Sequence, residues 1–243
     1  MRIPRLYVNR QLGIGVATNL DDQEARYMRS VLRLKEGDPV VVFNGLGGEY
    51  QALLQTSGKN SASVVPSEFD VINRESPLKV HLGIGISRGE RMDIVMQKAT
   101  ELGVTEITPL FTQRCEVKLN AGRAVKKTQH WQQIVVSACQ QSQRNRVPTV
   151  HRAVDLSDWL ATTGGELKLV LDHRGGLGVK DLAPSAVGVV LLVGPEGGFD
   201  SAEISAVTDA DFVSLSLGPR VLRTETAPIA ALSILQARWG DLL

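Results

Sequence analysis

Two glycine-rich turns, each directly after an apolar strand-like run, carry the residue types best suited to chemistry in this chain. The run at 189–193 leads into GPEGG at 194–198, and the run at 213–217 leads into a Gly-Pro turn followed by charged and hydroxyl side chains. In an open α/β sheet, ligands bind at the carboxyl ends of the strands, where glycine lets the backbone approach them closely. We therefore expect the two turns to form one small-molecule site.

The spacing within these turns argues against a phosphate ligand. Neither turn matches the P-loop or the G-x-G-x-x-G turn of dinucleotide-binding proteins. The first turn contains no lysine, and the carboxylate of Glu196 would repel a polyphosphate. A single Gly-Pro turn commonly connects two elements without binding anything, so the inference of a ligand site depends on the presence of two such turns.

Composition sets the broad class. A chain of 243 residues with 43% apolar and 5% aromatic content suits an α/β protein of one or two domains. It has no apolar run of transmembrane length and no apolar signal-peptide core near Met1. Cys115 and Cys139 lack metal-type spacing, and the four histidines are scattered along the sequence. We expect a cytoplasmic protein with reduced structural cysteines, without metal or membrane partner.

The net charge of +1 conceals a basic segment. Residues 114–152 contain a single acidic residue, Glu116, against eight basic ones: Arg114, Lys118, Arg123, Lys126, Lys127, Arg144, Arg146 and Arg152. Such asymmetry is typical of a surface that binds a polyanion through its phosphates, although a solvated helix face would have the same composition. The amides within QSQRNRVP could also contact sugar or base edges.

The pattern of apolar residues divides the chain near residue 74. Short alternating segments with Gly turns predict a small β-barrel before it, and a helical stretch at 22–34 places Arg26, Arg29 and Arg33 on one face. After the polar linker at 73–77, apolar strands alternate with helices, which predicts a mostly parallel sheet covered on both faces. The helices are expected at about 91–102, 124–141, after 200, and at 227–239.

Motifs along the whole chain resemble the SPOUT RNA methyltransferases, and among them the ribosomal RNA small subunit methyltransferase E family. The motifs are VVLLVGPEGGFDSAEI, LSLGPRVLRTETAPIAALSILQARWG, ISRGERMDIVMQKATELGVTEITPLFTQRC and QQSQRNRVP. The resemblance implies a PUA-like RNA-binding β-barrel domain at 1–73 and a SPOUT domain with a C-terminal trefoil knot at 74–243. It also implies methylation of N3 of a uridine in 16S rRNA of the 30S subunit, with S-adenosyl-L-methionine (SAM) as cofactor, by a homodimer that pairs through the last helix.

With the resemblance, residues can be assigned to roles. For catalysis we expect Arg223 to stabilise the uridine anion and Glu225 to accept its proton, although an ion pair between the two would serve only structure. The residues expected to bind the cofactor are Leu171, His173, Gly194, Pro195, Glu196, Gly197, Gly198, Leu217, Gly218, Val221, Leu222 and Thr226. Those expected to bind RNA are Arg5, Arg26, Arg29, Arg33, Arg88, Arg114, Arg144 and Arg146.

Two alternatives to this function remain open at the level of sequence. A SPOUT enzyme could modify another target, such as a ribose 2′-hydroxyl or a guanine. A ribosome-binding or assembly module could retain the fold without turnover.

Lys98 and Glu101 are expected to form an ordinary intrahelical ion pair, because they have i, i+3 spacing on the predicted helix.

Overall fold

The structure, a computed structural model, describes residues 3–57, 61–117, 120–164, 167–172, 175–182 and 188–242. The chain forms two compact units. The first comprises residues 1–75 together with 139–147, and the second comprises 76–138 together with 148–243. No helix among the described residues is both long and apolar enough to cross a membrane.

The first unit is built on a five-stranded sheet with strand order β1-β3-β4-β5-β2. Its strands are β1 (Arg5–Tyr7), β2 (Thr18–Asn19), β3 (Pro39–Phe43), β4 (Glu49–Ser57) and β5 (Ser61–Asp70). β1 pairs with β3 in parallel, and the other pairs are antiparallel. The sequence predicted a small β-barrel, and in the structure β1 and β2 are the two edge strands of this sheet, with no pairing between them among the described residues.

The predicted arginine face of the first helix is wrong. The α-helix α1 ends early (Asp22–Arg26) and continues as a π-helical turn (Tyr27–Val31). The wider turn breaks the 3.6-residue periodicity on which the prediction relied. Arg26 is exposed and Arg29 half-buried, and Arg33 lies beyond both helical segments with a positive φ of 56°.

A buried polar cluster explains why residues 139–147 belong to the first unit. The Arg5 guanidinium donates to Glu49 Oε2 at 2.6 Å and to Asn145 Oδ1 at 2.5 Å, and Arg74 bonds the same carboxylate oxygen at 2.9 Å. Arg144 pairs with Glu75 at 2.5 Å. The sequence placed this segment in the second domain because it follows a long helix, and its partners in residues 5–75 were not visible in the pattern.

The second unit contains an eight-stranded sheet in which every pair is parallel. The strands are β6 (Lys79–Gly85), β7 (Glu106–Phe111), β8 (Thr149–Val150), β9 (Val154–Asp155), β10 (Leu167–Leu171), β11 (Leu177–Gly178), β12 (Gly188–Val193) and β13 (Val213–Ser216). Their order is β11-β13-β10-β12-β6-β7-β8, and β9 also pairs with β7. All side chains from Val189 to Val193 are buried, and because they alternate between the two faces, both faces of the sheet are covered.

The helices of the second unit are α2 (Arg91–Glu101), α3 (Ala121–Ser142, with its last four residues in the first unit), α4 (Leu156–Thr162), α5 (Ser201–Asp209) and α6 (Thr226–Trp239). α2 packs on α6, and α4 packs on α5. Within α2, Lys98 Nζ lies 2.9 Å from Glu101 Oε1, which confirms the predicted intrahelical pair. α4 had not been predicted.

Candidate functional site

The strand order of the second unit brings the two glycine turns together. β10 lies between β12 and β13, with Val170 in register with both Leu192 and Ser214. All three strands are parallel, so they end at one edge of the sheet. The turns after β12 and β13 are therefore separated by two strand spacings, about 10 Å, which is a suitable width for a small ligand.

Each turn has a backbone that the sequence specifies locally. After β12, the Gly198 N–H donates to the Pro195 carbonyl at 2.8 Å, and Gly198 has a φ of 66°. The close approach of Pro195 to β6 requires glycine at position 85, where a Cβ would lie 2.5 Å from the proline ring. After β13, Gly218 has a φ of 108°, which few L-residues adopt. Gly198 and Gly218 therefore give the two turns backbone conformations that few other residues adopt.

The turns line a cavity of about 440 Å³, within the range of small-molecule sites. Ten of the twelve residues that the sequence assigned to a cofactor lie in its wall: Leu171, Gly194, Pro195, Glu196, Gly197, Gly198, Leu217, Gly218, Val221 and Leu222. Thr226 is not in the wall and is the first residue of α6. His173 lies outside the described residues.

Both residues assigned to catalysis line the same cavity, and they do not pair with each other. Arg223 is exposed, and among the described residues it forms no ion pair with Glu225. Glu225 Oε2 is buried without a hydrogen-bond partner in that part of the chain, and it lies 3.8 Å from Arg91 Nε. The structural ion pair left open by the sequence is therefore not formed, and a carboxylate oxygen remains able to take a proton or a ligand contact.

Arg91, at the start of α2, follows the first strand of the second unit, where the sequence suggested a contact with RNA phosphate; the structure places it in the cavity wall. Its Nη1 lies 2.5 Å from Glu196 Oε1, which also accepts the Arg88 N–H at 3.1 Å. Burial would raise the pKa of the Glu196 carboxyl, but hydrogen bonds from its own backbone N–H, from Arg88 and from Arg91 outweigh it and lower the pKa. Glu196 therefore stays ionised and serves to orient the first turn. A single arginine spaced 105 residues from its partner gives no local signal in the sequence.

Thr224 was also missed. Its hydroxyl donates to the Gly194 carbonyl at 3.1 Å and contacts Ser87 Oγ at 3.2 Å. Arg114, assigned to RNA, lines the cavity instead, and its Nη1 donates to the Gly197 carbonyl at 3.0 Å. The bond from Thr224 to Gly194 joins the two turns, while the other two contacts attach them to the segments that follow β6 and β7.

The arginines expected to bind RNA differ in how exposed they are. Arg5 and Arg144 are buried and bonded within the first unit, which corrects their assignment to a surface. Arg26, Arg33 and Arg146 are exposed. Arg88 is exposed in the second unit and pairs with Glu116 at 2.8 Å. Arg29 is half-buried.

The histidines are less scattered than the sequence suggested. His81 and His151, which are far apart along the chain, lie close to each other and to Glu106 in the second unit. Cys139 is buried, as expected for a structural thiol, and burial raises its pKa to about 12. Cys115 is half-buried, and burial raises its pKa as well.

Comparison with known proteins places these features in a family. A family model described as an RNA methyltransferase domain matches residues 74–236, and one described as an RNA methyltransferase PUA domain matches residues 20–67. Ribosomal RNA small subunit methyltransferase E of Buchnera aphidicola from Schizaphis graminum is 36% identical over 99% of this chain and 98% of its own length.

Two similar solved structures contain a cofactor. A methyltransferase of Legionella pneumophila with bound SAM is 41% identical, with a TM-score of 0.97 over 100% of both chains. A ribosomal RNA small subunit methyltransferase E of Neisseria gonorrhoeae bound to S-adenosyl methionine is 37% identical, with a TM-score of 0.93 over 100% of both chains.

Proposed function

The chain belongs to the ribosomal RNA small subunit methyltransferase E family, and from this premise we propose that it methylates N3 of a uridine, U1498, in 16S rRNA with SAM as donor. The observation that carries the proposal is the cavity between the two glycine turns, with an exposed arginine and a carboxylate oxygen in its wall that accepts no hydrogen bond among the described residues. We place the reaction in the cytoplasm, where the 30S subunit is found.

The cavity fits SAM on its own features. A Cβ at Gly218 or Gly198 would meet no atom within 4 Å, so both glycines border open space in the cavity wall. Apolar side chains such as Leu171, Leu215 and Val221 suit the flat face of an adenine, while the turns supply backbone polar groups. Glu225 Oε2 accepts no hydrogen bond from the part of the chain that the structure describes, and it suits a cationic part of a ligand. SAM supplies an activated methyl group on a sulfonium, so no metal is needed for the transfer.

The protein must then prepare the acceptor. Uridine N3 carries a proton in its neutral form, and its lone pair becomes available only when that proton leaves. We assign removal of this proton to the Glu225 carboxylate, which forms a new O–H bond as the N3–H bond breaks. We assign Arg223 to the negative charge that then spreads onto O2 and O4, which its guanidinium can bond. The N3–C bond forms as the S–C bond of the donor breaks, so charge and atoms balance.

For RNA we propose contacts from both units. In the first unit, which contains the match to a PUA domain, the exposed Arg26, Arg33 and Arg146 are the candidates for phosphate contacts. In the second unit, the exposed Arg220 and Arg223 lie in the cavity wall. With Arg223 assigned to the base, the charge of Arg220 would hold a target nucleotide's phosphates near the site.

We further propose that the segment from β12 to α6 forms the trefoil knot characteristic of SPOUT enzymes, and that the active species is a homodimer. On α6, Leu232 and Leu235 are fully buried within the chain, so the dimer contact would use the half-buried Ile229, Ile234 and Trp239. Sedimentation should give about twice the 26.3 kDa chain mass. A monomer with full activity would contradict the dimer.

The deciding experiment incubates the purified chain with SAM and 30S subunits that lack the modification, followed by mass mapping of the rRNA nucleosides. We expect N3-methyluridine with the wild type and a large loss of turnover, at nearly unchanged SAM affinity, for Arg223→Ala. Arg223→Lys, which keeps the charge, should retain part of the turnover. Methylation of another nucleoside would reassign the target, and SAM binding without any methylation would favour an assembly role.

A further inference from the structure

Three side chains on adjacent strands of the second unit converge at the edge of the sheet away from the cofactor cavity. His81 on β6 is in register with Glu106, the first residue of β7, and Glu106 is in register with Thr149 on β8. His151 directly follows β8, and its Nε2 lies 2.8 Å from Glu106 Oε2. One ligand atom from each of His81, Glu106 and His151 lies within 4.8 Å of the others.

These residues have the chemistry of a metal site. Two imidazoles and one carboxylate form a donor set that binds Zn²⁺ and related divalent ions, with bonds of about 2.0–2.2 Å. Tetrahedral bonds of that length place ligand atoms about 3.4 Å apart. His151 Nε2 and Glu106 Oε2 are already 2.8 Å apart, and the His81 ligand atom lies within 4.8 Å of both.

Two contacts fix the orientation of the His81 ring, as is typical of a histidine that binds a metal. Its Nε2 lies 2.8 Å from the Thr108 hydroxyl, and its ring packs edge-on against Trp159 at 5.6 Å. A hydrogen bond at one ring nitrogen fixes the orientation of a ligating imidazole.

The cluster is also accessible. His81 is half-buried, whereas the side chains of His151 and Glu106 are 40% and 48% exposed. An ion can therefore enter from solvent on the side of these two residues, and water can complete the coordination. The strands that carry the ligands are neighbours, so a bound ion would link β6, β7 and β8.

We propose that His81, Glu106 and His151 bind a divalent transition-metal ion, with Zn²⁺ the best fit, in a structural site separate from the methyl-transfer cavity. The site lies toward the amino ends of parallel strands whose carboxyl ends face that cavity. Binding should therefore raise stability without entering the chemistry. The alternative is a hydrogen-bonded His151–Glu106 pair with the His81 ring tilted against the His151 ring, their centroids 5.5 Å apart.

The test uses the full-length, tag-free chain after chelator treatment, titrated with ZnCl₂ by calorimetry. We expect one zinc per chain in the wild type and a higher unfolding temperature with zinc. His151→Gln and Glu106→Gln, both at exposed positions, should weaken zinc binding at least about tenfold. His130→Gln is the matched control, because His130 is an exposed histidine that contacts Asp93 at 3.1 Å outside the cluster.

Co²⁺ provides a spectroscopic check, since a low-coordinate site with nitrogen ligands gives visible absorption bands that should disappear in His151→Gln. A Cys115→Ser variant that binds zinc like the wild type would exclude the thiol as a ligand. Absence of zinc binding by the wild type would overturn the proposal. So would equal binding by the wild type and His151→Gln, or loss of binding in His130→Gln alone.

Discussion

The Thr224 hydroxyl donates a hydrogen bond to the carbonyl oxygen of Gly194 at 3.1 Å, and this contact joins the second glycine turn to the first. Thr224 is buried, so the bond is shielded from water. Thr224→Val keeps the shape and removes the hydroxyl, leaving a carbonyl without this partner. We expect a cost of about 1–2 kcal/mol in the arrangement of the turns, and SAM binding roughly tenfold weaker by calorimetry.

Thr224→Ser is the matched control for this prediction, because it keeps the hydroxyl and should bind SAM nearly as well as the wild type. The unfolding temperature of both variants should stay close to that of the wild type. Wild-type affinity in Thr224→Val would show that the turns hold their positions without the bond.

Gly218 should be intolerant of a side chain. Gly218→Val adds a branched Cβ where the cavity is open and where φ is 108°, so we expect calorimetry to detect no SAM binding. Gly37→Val carries comparable backbone strain, with a φ of 82°, in the first unit and serves as control. If both variants bind SAM normally, the second turn does not contact the cofactor.

Exposed arginines of the first unit should set the salt dependence of RNA binding. For Arg26→Ala and Arg33→Ala we expect weaker binding to 30S subunits and a slope of log K against log salt smaller by about one for each lost phosphate contact. Lys98→Ala, which removes a partner already paired with Glu101, should leave the slope unchanged. Slopes equal to the wild type for both arginine variants would remove this surface from the RNA interface.

Glu49 should support the first unit more strongly than an exposed carboxylate. Burial raises its pKa, but hydrogen bonds from Arg5, Arg74 and Asn145 outweigh it, so the pKa in the folded state is lowered. Glu49→Gln leaves the Arg5 charge buried without its counter-ion, and we expect a loss of about 3 kcal/mol in unfolding free energy. Glu68→Gln, at an exposed site, should change it by less than about 0.5 kcal/mol.

The lowered pKa of Glu49 also predicts how the unfolding free energy changes with pH. A carboxyl with a lowered folded pKa stabilises the fold above its unfolded pKa, and this contribution is lost as pH falls through the folded value. Wild-type unfolding free energy should therefore drop on acidification below about pH 4.5, and the drop should be smaller in Glu49→Gln. Parallel pH curves for the two proteins would contradict the assignment.

The two thiols should differ in reactivity. Cys139 is buried with a pKa of about 12, so alkylation at pH 8 should leave it unmodified, while the half-buried Cys115 reacts slowly and faster as pH rises. Peptide mass spectrometry after iodoacetamide treatment measures both, and the denatured chain, in which both react, is the control. Rapid labelling of Cys139 in the native protein would contradict its burial.

Sequence patterns predicted the second unit well where a local signal exists. The strand-like run predicted at 189–193 matches β12 to within one residue, because an uninterrupted apolar run is typical of a buried parallel strand. The convergence of the glycine turns followed from the rule for carboxyl ends of strands. α4, only seven residues long, gave too short a periodic signal.

What the sequence missed depends on long-range pairing. The meeting of His81 with His151 requires the order β6-β7-β8, which no local pattern contains. From the sequence alone, Arg5 and Arg144 could not be distinguished from surface charges, because their partners Glu49 and Glu75 are known only from the structure. The arginine face of the first helix failed for a local reason, because nothing in the residues 27–31 indicates a π-helical turn.

The membership of residues 139–147 in the first unit has a consequence for the order of folding during synthesis. When residue 75 leaves the ribosome, Arg5 and Glu49 still lack Asn145, and the chain must elongate through residues 76–145 before that partner exists. At ordinary elongation rates the delay is roughly 3.5 to 14 s. The nascent amino-terminal unit therefore remains incomplete while the first part of the second unit emerges, and a fragment ending at residue 75 would stay incomplete.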